Sequence, residues 1–262
     1  MRGNYRSVPK NRRLVLDVCW AAKMVPAFAV DRQFELGILQ EARKQTTCHI
    51  SWAALYLKAY GLVCQSIPEL RQTFVSYPWN YFYEHPHSIA SISVHRDDPE
   101  GGKRLVWARI PNPENCPLVE IQARIDEATQ GQLLEFYKDA FLLERLPNPL
   151  RKILWWLLMQ WLGRRRAKKV GTFSVSTLAG QDAYNRGHPL VVTTSLAYSR
   201  CDEHGSSLVT LIADHRVIDG VLAARALHRL EKTLNGQVLE ELRNLGRSVA
   251  NQVDDRGINE AA

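Results

Sequence analysis

The stretch LIADHRVIDGVLAARALHRL, Leu211 to Leu230, constrains this chain more than any other. Residues 207–212 read as a largely buried strand. Ala223, Ala226, Leu227, Leu230 and Leu234 then recur at the 3.6-residue spacing of a helix with one buried face. His215 is therefore expected at the C-terminal end of a strand, and Asp219 where a side chain can cap a helix. Such a joint is held on both sides, so whatever projects from it has a fixed geometry. An imidazole there can take a proton from a hydroxyl or thiol near neutral pH. The same histidine could equally be a polar residue satisfied by backbone at a sheet edge.

Elsewhere the pattern alternates between helix and strand. Residues 50–65 carry Ile50, Ala53, Ala54, Leu57 and Cys64 on one side, with Pro68 just beyond, and predict a core helix. WNYFYEHPHSIASISVHRD and KRLVWARI predict strands joined through the turn residues of DDPEGG. Pro117 opens a helix with Leu118, Ile121 and Ile125 aligned. Three later segments, 171–178, 189–199 and 207–212, are strand candidates rich in Thr, Val and Ser. These elements predict an α/β protein with a mixed or largely antiparallel sheet.

At 262 residues without a Pro- or Ser-rich linker, the expectation is one domain over 12–246, a basic arm over 1–11 and a polar, disordered tail over 247–262. Five scattered cysteines form no zinc or redox spacing, which points to reduced thiols, no metal and a cytoplasmic location. The formal charge of +7 comes from two clusters, Arg2, Arg6, Lys10, Arg12, Arg13 and Arg164, Arg165, Arg166, Lys168, Lys169. Setting those ten cations aside leaves −3, so no basic face for nucleic acid is expected.

DHRVIDG resembles the signature of the acyltransferases that include chloramphenicol acetyltransferase and the catalytic domains of the dihydrolipoamide acyltransferases of 2-oxo acid dehydrogenase complexes. VPAFAVDRQFELGILQEARK, ISWAALYLKAYGLVCQSIPELRQTF, YEHPHSIASISVHRDDPEGGKRLVWARI and GTFSVSTLAG resemble that family in the same order, so the likeness spans Arg12 to Gly236. It implies a two-layer fold, a mixed sheet covered by helices, and a homotrimer with active sites between subunits. His215 would be the general base and Ser176 of a neighbouring subunit the donor to the oxyanion, with Thr177 beside it on the substrate side. Asp219 would pair with Arg12, or with the competing Arg13, to hold the histidine loop. The co-substrate implied is an acyl-CoA or another acyl thioester, with direct transfer to a hydroxyl or thiol. Each residue also has a plainer reading: a solvated Arg12, an Asp219 that only caps, a Ser176 that is an ordinary strand hydroxyl.

Two departures shape the expected function. No lipoyl region or Ala/Pro-rich linker precedes Arg12, which favours a free-standing acyltransferase over a core that acylates lipoyl groups of a 2-oxo acid dehydrogenase complex. A non-catalytic trimeric scaffold is the third alternative. Residues 144–169 form an apolar and then basic helical insertion containing Trp155, Trp156 and Trp161, too short to cross a bilayer. Three readings of it stay open. It could be a core or interface helix with a solvated basic end. Trp155 and Trp156 could line a pocket for a lipid-like acyl chain or acceptor. Or the segment could touch a membrane surface peripherally.

Overall fold

The computed structural model describes residues 3–98, 102–132 and 137–246. The elements in order are α1 (Arg13–Ala22), β1 (Ala27–Glu35), α2 (Gly37–Gln45), α3 (Trp52–Ser66), β2 (Gln72–Val75), β3 (Tyr81–Glu84), β4 (Ile89–Asp97) and β5 (Lys103–Pro111). They continue as α4 (Leu118–Gln130), α5 (Lys138–Arg145), α6 (Asn148–Gln160), α7 (Gly163–Val170), β6 (Phe173–Val175), β7 (Thr194–Tyr198), β8 (Ser206–Asp214) and α8 (Gly220–Thr233). The expected tail over 247–262 lies outside the described residues, as does part of the DDPEGG turn.

Six strands form one sheet in the order β1-β8-β7-β6-β4-β5, and β2 and β3 form a separate hairpin. The sheet is mixed: β6 runs parallel to β4 and β7, and the other pairings are antiparallel. Period-two alternation sends Val209, Leu211 and Ala213 to one face, where they join the main core with α2, α3, α4 and α8. Helix α3 starts at Ser51, whose side chain accepts from Ala54 N, and is apolar almost all round because it lies in the middle of that core. Its Tyr56 stacks on Tyr198 of β7 at 4.2 Å, and its Tyr60 hydroxyl donates to Thr194 Oγ1 at 2.9 Å. Burial holds both phenols well above their usual pKa, so they stay neutral.

The opposite face is partly covered as well, which adds to the expected two-layer plan. Leu14, Val18 and Ala21 of α1, Trp155 and Met159 of α6, Leu190, Val192 and Ile212 form a second, smaller core there. Arg151 and Asp17 clamp the two helices together with a buried ion pair at 2.8 Å. The insertion expected over 144–169 is thus two helices, α6 and α7, with the turn of α5 ending just ahead of them. Gly163 starts α7 where a Cβ would meet Val75 Cγ2 at 2.6 Å, so its lack of a side chain lets α7 press on the hairpin. Gly171 ends α7 at φ +97°, with Ile89 O 2.8 Å from where a Cβ would stand. That backbone turn is what delivers the chain into β6.

Candidate active site

His215 follows β8 directly and is solvent-exposed. Its backbone N–H donates to Pro26 O at 2.9 Å, and its ring lies 4.6 Å from that of Phe28. Nδ1 is 3.3 Å from Ile218 O, a carbonyl that can only accept, so Nδ1 carries the proton and Nε2 is left as the basic nitrogen. Asp219 is the N-cap of α8 and accepts from Leu222 N at 2.7 Å. It makes no ion pair with Arg12 or Arg13; Arg12 is exposed at the start of α1. Within one chain, then, Asp219 orders the helix start, and the expected arginine clamp is not formed.

A different clamp holds the histidine loop. Asp214, the last residue of β8 and 1% exposed, takes two hydrogen bonds from the Arg216 guanidinium, at 2.8 and 2.6 Å, and a third from Arg216 N at 3.1 Å. Its carbonyl accepts from Val217 N and Ile218 N, so the turn around His215 is tied at both ends. Arg216 lies over the Phe74 ring, 4.6 Å from its centroid, which links the loop to the β2–β3 hairpin. Within reach of the Asp214 charge is Arg166 of α7, the largest fully buried side chain among the described residues, donating through Nε and Nη2 to Val191 O at 3.1 and 2.9 Å. Burial lowers its pKa to about 10, and the nearby Asp214 charge opposes that shift. The basic end of the insertion is therefore not all solvated, as the charge run had implied. Sequence reasoning missed Asp214, Arg216 and Arg166 as supports, although Asp214 and Arg216 flank His215.

Ser176 comes just after β6, half-buried, with its N–H on Leu196 O at 2.9 Å and its Oγ 3.3 Å from Ser93 Oγ. It belongs to a hydroxyl-rich patch on the face opposite the main core, where Ser174 donates to Ser195 at 2.6 Å and His188 Nε2 meets Ser195 at 2.7 Å. Thr177 is turned to its own backbone: its Oγ1 donates to Tyr198 O and accepts from Ala179 N. Trp155 is inside the second core, whereas Trp156 is on the surface beside Tyr77.

His215 and Ser176 do not meet within the chain. Strand register aligns Ser176 with the level of Thr210, five positions before His215, and places it two strands away. The separation is about 16 Å along the strands and about 10 Å across them. Two open surface hollows, of about 590 and 330 Å³, lie on the helical face, and neither is lined by His215 or Ser176.

His85, at the end of β3, is buried against Thr73 Oγ1 at 3.2 Å and the ring of Tyr83. Burial, reinforced by Arg166 and Arg71, pushes its pKa down to about 4. A histidine kept neutral in the fold but titrating near 6.5 when unfolded makes the unfolded state the better proton binder between those values. Stability should thus fall as the pH drops from about 6.5 towards 4. Urea midpoints measured across that range are expected to decline for the wild type and to decline less for His85→Gln.

The mixed sheet with its helical cover is similar in fold to acyltransferase catalytic cores, and His215 stands in the last strand–helix joint of the described residues. The chain is similar to a probable dihydrolipoamide acetyltransferase from Listeria monocytogenes, with a TM-score of 0.63, 15% identity, and 89% of this chain and 94% of that chain covered. It is also similar to a truncated catalytic core of the 2-oxoacid dehydrogenase multienzyme complex from Thermoplasma acidophilum, at TM-score 0.60 and 16% identity over 89% and 99% of the chains. The cubic core of a pyruvate dehydrogenase multienzyme complex gives 0.59 and 18% over 90% and 95%. No family model matches the sequence, and no curated protein matches it.

Proposed function

We propose that the protein is an acyltransferase that works as an oligomer, with His215 of one subunit facing Ser176 of the next. The observation that carries this reading is the separation just described: the base and the hydroxyl are too far apart to serve one carbonyl within a chain. A rotationally symmetric assembly brings two such distant patches together at every interface, and a trimer is the simplest form consistent with the family resemblance. The donor is an acyl thioester, with acyl-CoA as the first candidate. The acceptor's hydroxyl or thiol gives its proton to His215 Nε2 as its oxygen or sulfur attacks the thioester carbonyl. Ser176 Oγ–H donates to the oxygen that becomes negative. Collapse breaks the C–S bond, and the imidazolium returns the proton to the departing thiolate.

A second reading differs only in the acceptor. The similar solved structures are cores of 2-oxo acid dehydrogenase complexes, so a dihydrolipoyl thiol on another protein is the alternative to a small molecule. Free thiol release from a panel of acyl-CoAs, with dihydrolipoamide and small alcohols as acceptors, separates the two.

The interfacial arrangement has its own test. Ser176→Ala is expected to lower kcat about a hundredfold with little change in KM, the usual cost of one oxyanion donor. Mixed oligomers assembled from Ser176→Ala and His215→Ala subunits should then regain activity, because roughly a quarter of randomly assorted interfaces pair the intact His215 with the intact Ser176. No recovery from mixing would mean that the two residues do not share a site.

A further inference from the structure

Helix α6 is apolar on two sides. Arg151, Trp155 and Met159 form its buried stripe, while Ile153 and Leu154 on the other side are 54% and 44% exposed. Trp156 and Trp161, 40% and 46% exposed, extend that outer face, and Tyr77 from the β2–β3 loop closes onto both, with ring centroids 6.1 and 5.0 Å away. The loop is fastened there by Tyr77 N–H on Gln160 O at 3.0 Å, and Trp79 projects beyond it, 71% exposed. The exposed aromatic side chains of the two segments thus meet at Tyr77, with the exposed aliphatic residues on the same helix.

Charge says what covers this face. No acidic residue occurs between Asn148 and Val170, while Arg164, Arg165 and Lys168 of α7 are exposed at the end of this surface. Lys169 beside them is neutralised by Asp139 at 2.8 Å. Indole and phenol rings that combine an apolar body with a polar edge, followed by three exposed cations for which no acidic partner is found among the described residues, match the headgroup region of an anionic bilayer. A protein partner would need a complementary acidic patch on a greasy surface, which is rarer. At 13 residues, α6 is too short to cross a membrane, and no described helix is long and apolar enough to do so.

We infer that the outer face of α6, with Tyr77 and Trp79, docks the protein onto anionic lipid surfaces, the rings entering the headgroup layer and Arg164, Arg165 and Lys168 meeting lipid phosphates. The inference stands independently of the acyl-transfer reading. The test is co-sedimentation of the full chain, in its native assembly, with vesicles of phosphatidylcholine alone or with phosphatidylglycerol added. Binding is expected only with phosphatidylglycerol, and weaker at about 1 M salt, where charges are screened beyond about 3 Å. Arg164→Glu with Arg165→Glu, at exposed positions that leave the fold intact, should weaken that binding at least about tenfold. Trp156→Ser with Trp161→Ser should do the same while thermal melting stays cooperative. Equal or no binding of the wild type to the two kinds of vesicle overturns the inference. So does undiminished binding by both folded variants, or loss of oligomeric mass in the tryptophan variant when the wild type binds no lipid.

Discussion

His215→Ala is expected to lower thioester turnover about a thousandfold with KM for the donor nearly unchanged. Positioned proton transfer contributes roughly a hundred- to ten-thousandfold to a rate, and His215 supplies it alone in the proposed mechanism. The side chain is exposed, beside the Phe28 ring and Ile218 O. Removing it should therefore change stability by about 0.5 kcal/mol or less. Equal urea midpoints beside a thousandfold slower release of free thiol would show that the loss is chemical. His215→Gln should be as slow as alanine, because an amide can occupy the position without accepting a proton at Nε2. Turnover that persists in either variant at more than about a tenth of wild type would remove the general base from the mechanism.

The parts of this architecture that were legible in the sequence are those set by local periodicity. The β8–His215–Asp219–α8 joint was read correctly because a strand pattern and a helix pattern abut there with a capping residue between them, and each is a short-range signal. Strand lengths were less legible. Of the eight residues of GTFSVSTL only Phe173–Val175 pair as a strand, and Thr177 already serves the turn that follows through its bond from Ala179 N. Within PLVVTTSLAYS the strand begins only at Thr194.

Tertiary choices were not legible at all. Helix α6 is apolar round most of its circumference, so periodicity cannot say that Trp155 meets α1 while Trp156 faces outward; the position of α1 decides it. Likewise Arg164, Arg165 and Arg166 are equivalent in the sequence. Only the packing of α7 across the sheet buries the third and leaves the first two in solvent. The clamp on the histidine loop escaped for a related reason. Asp214 and Arg216 are two residues apart, a spacing that in a strand places both on the same face, but Arg166, the buried cation near enough to feel the Asp214 charge, is 48 positions before Asp214 and arrives by the fold.

That clamp carries the largest expected effect on stability. Asp214→Asn preserves shape and removes the negative charge that pairs with the half-buried Arg216 guanidinium and acts on the fully buried one of Arg166. Breaking a buried pair by deleting one partner typically costs about 3–5 kcal/mol, because the surviving charge has lost both water and counterion. Arg216 retains some solvent, so the lower end, about 3 kcal/mol, is expected, equivalent to a fall of about 1–3 M in the urea midpoint. Arg166→Met should behave differently. It removes a charge whose Nη1 has no partner, at similar volume, so the loss should be below about 1.5 kcal/mol even though Val191 O gives up two donors. In the double variant the isolated buried cation is gone, and a part of the Asp214→Asn loss should be recovered, giving a coupling of about 1 kcal/mol or more. Strict additivity would mean that Asp214 answers to Arg216 alone and that α7 does not reach the histidine loop through charge.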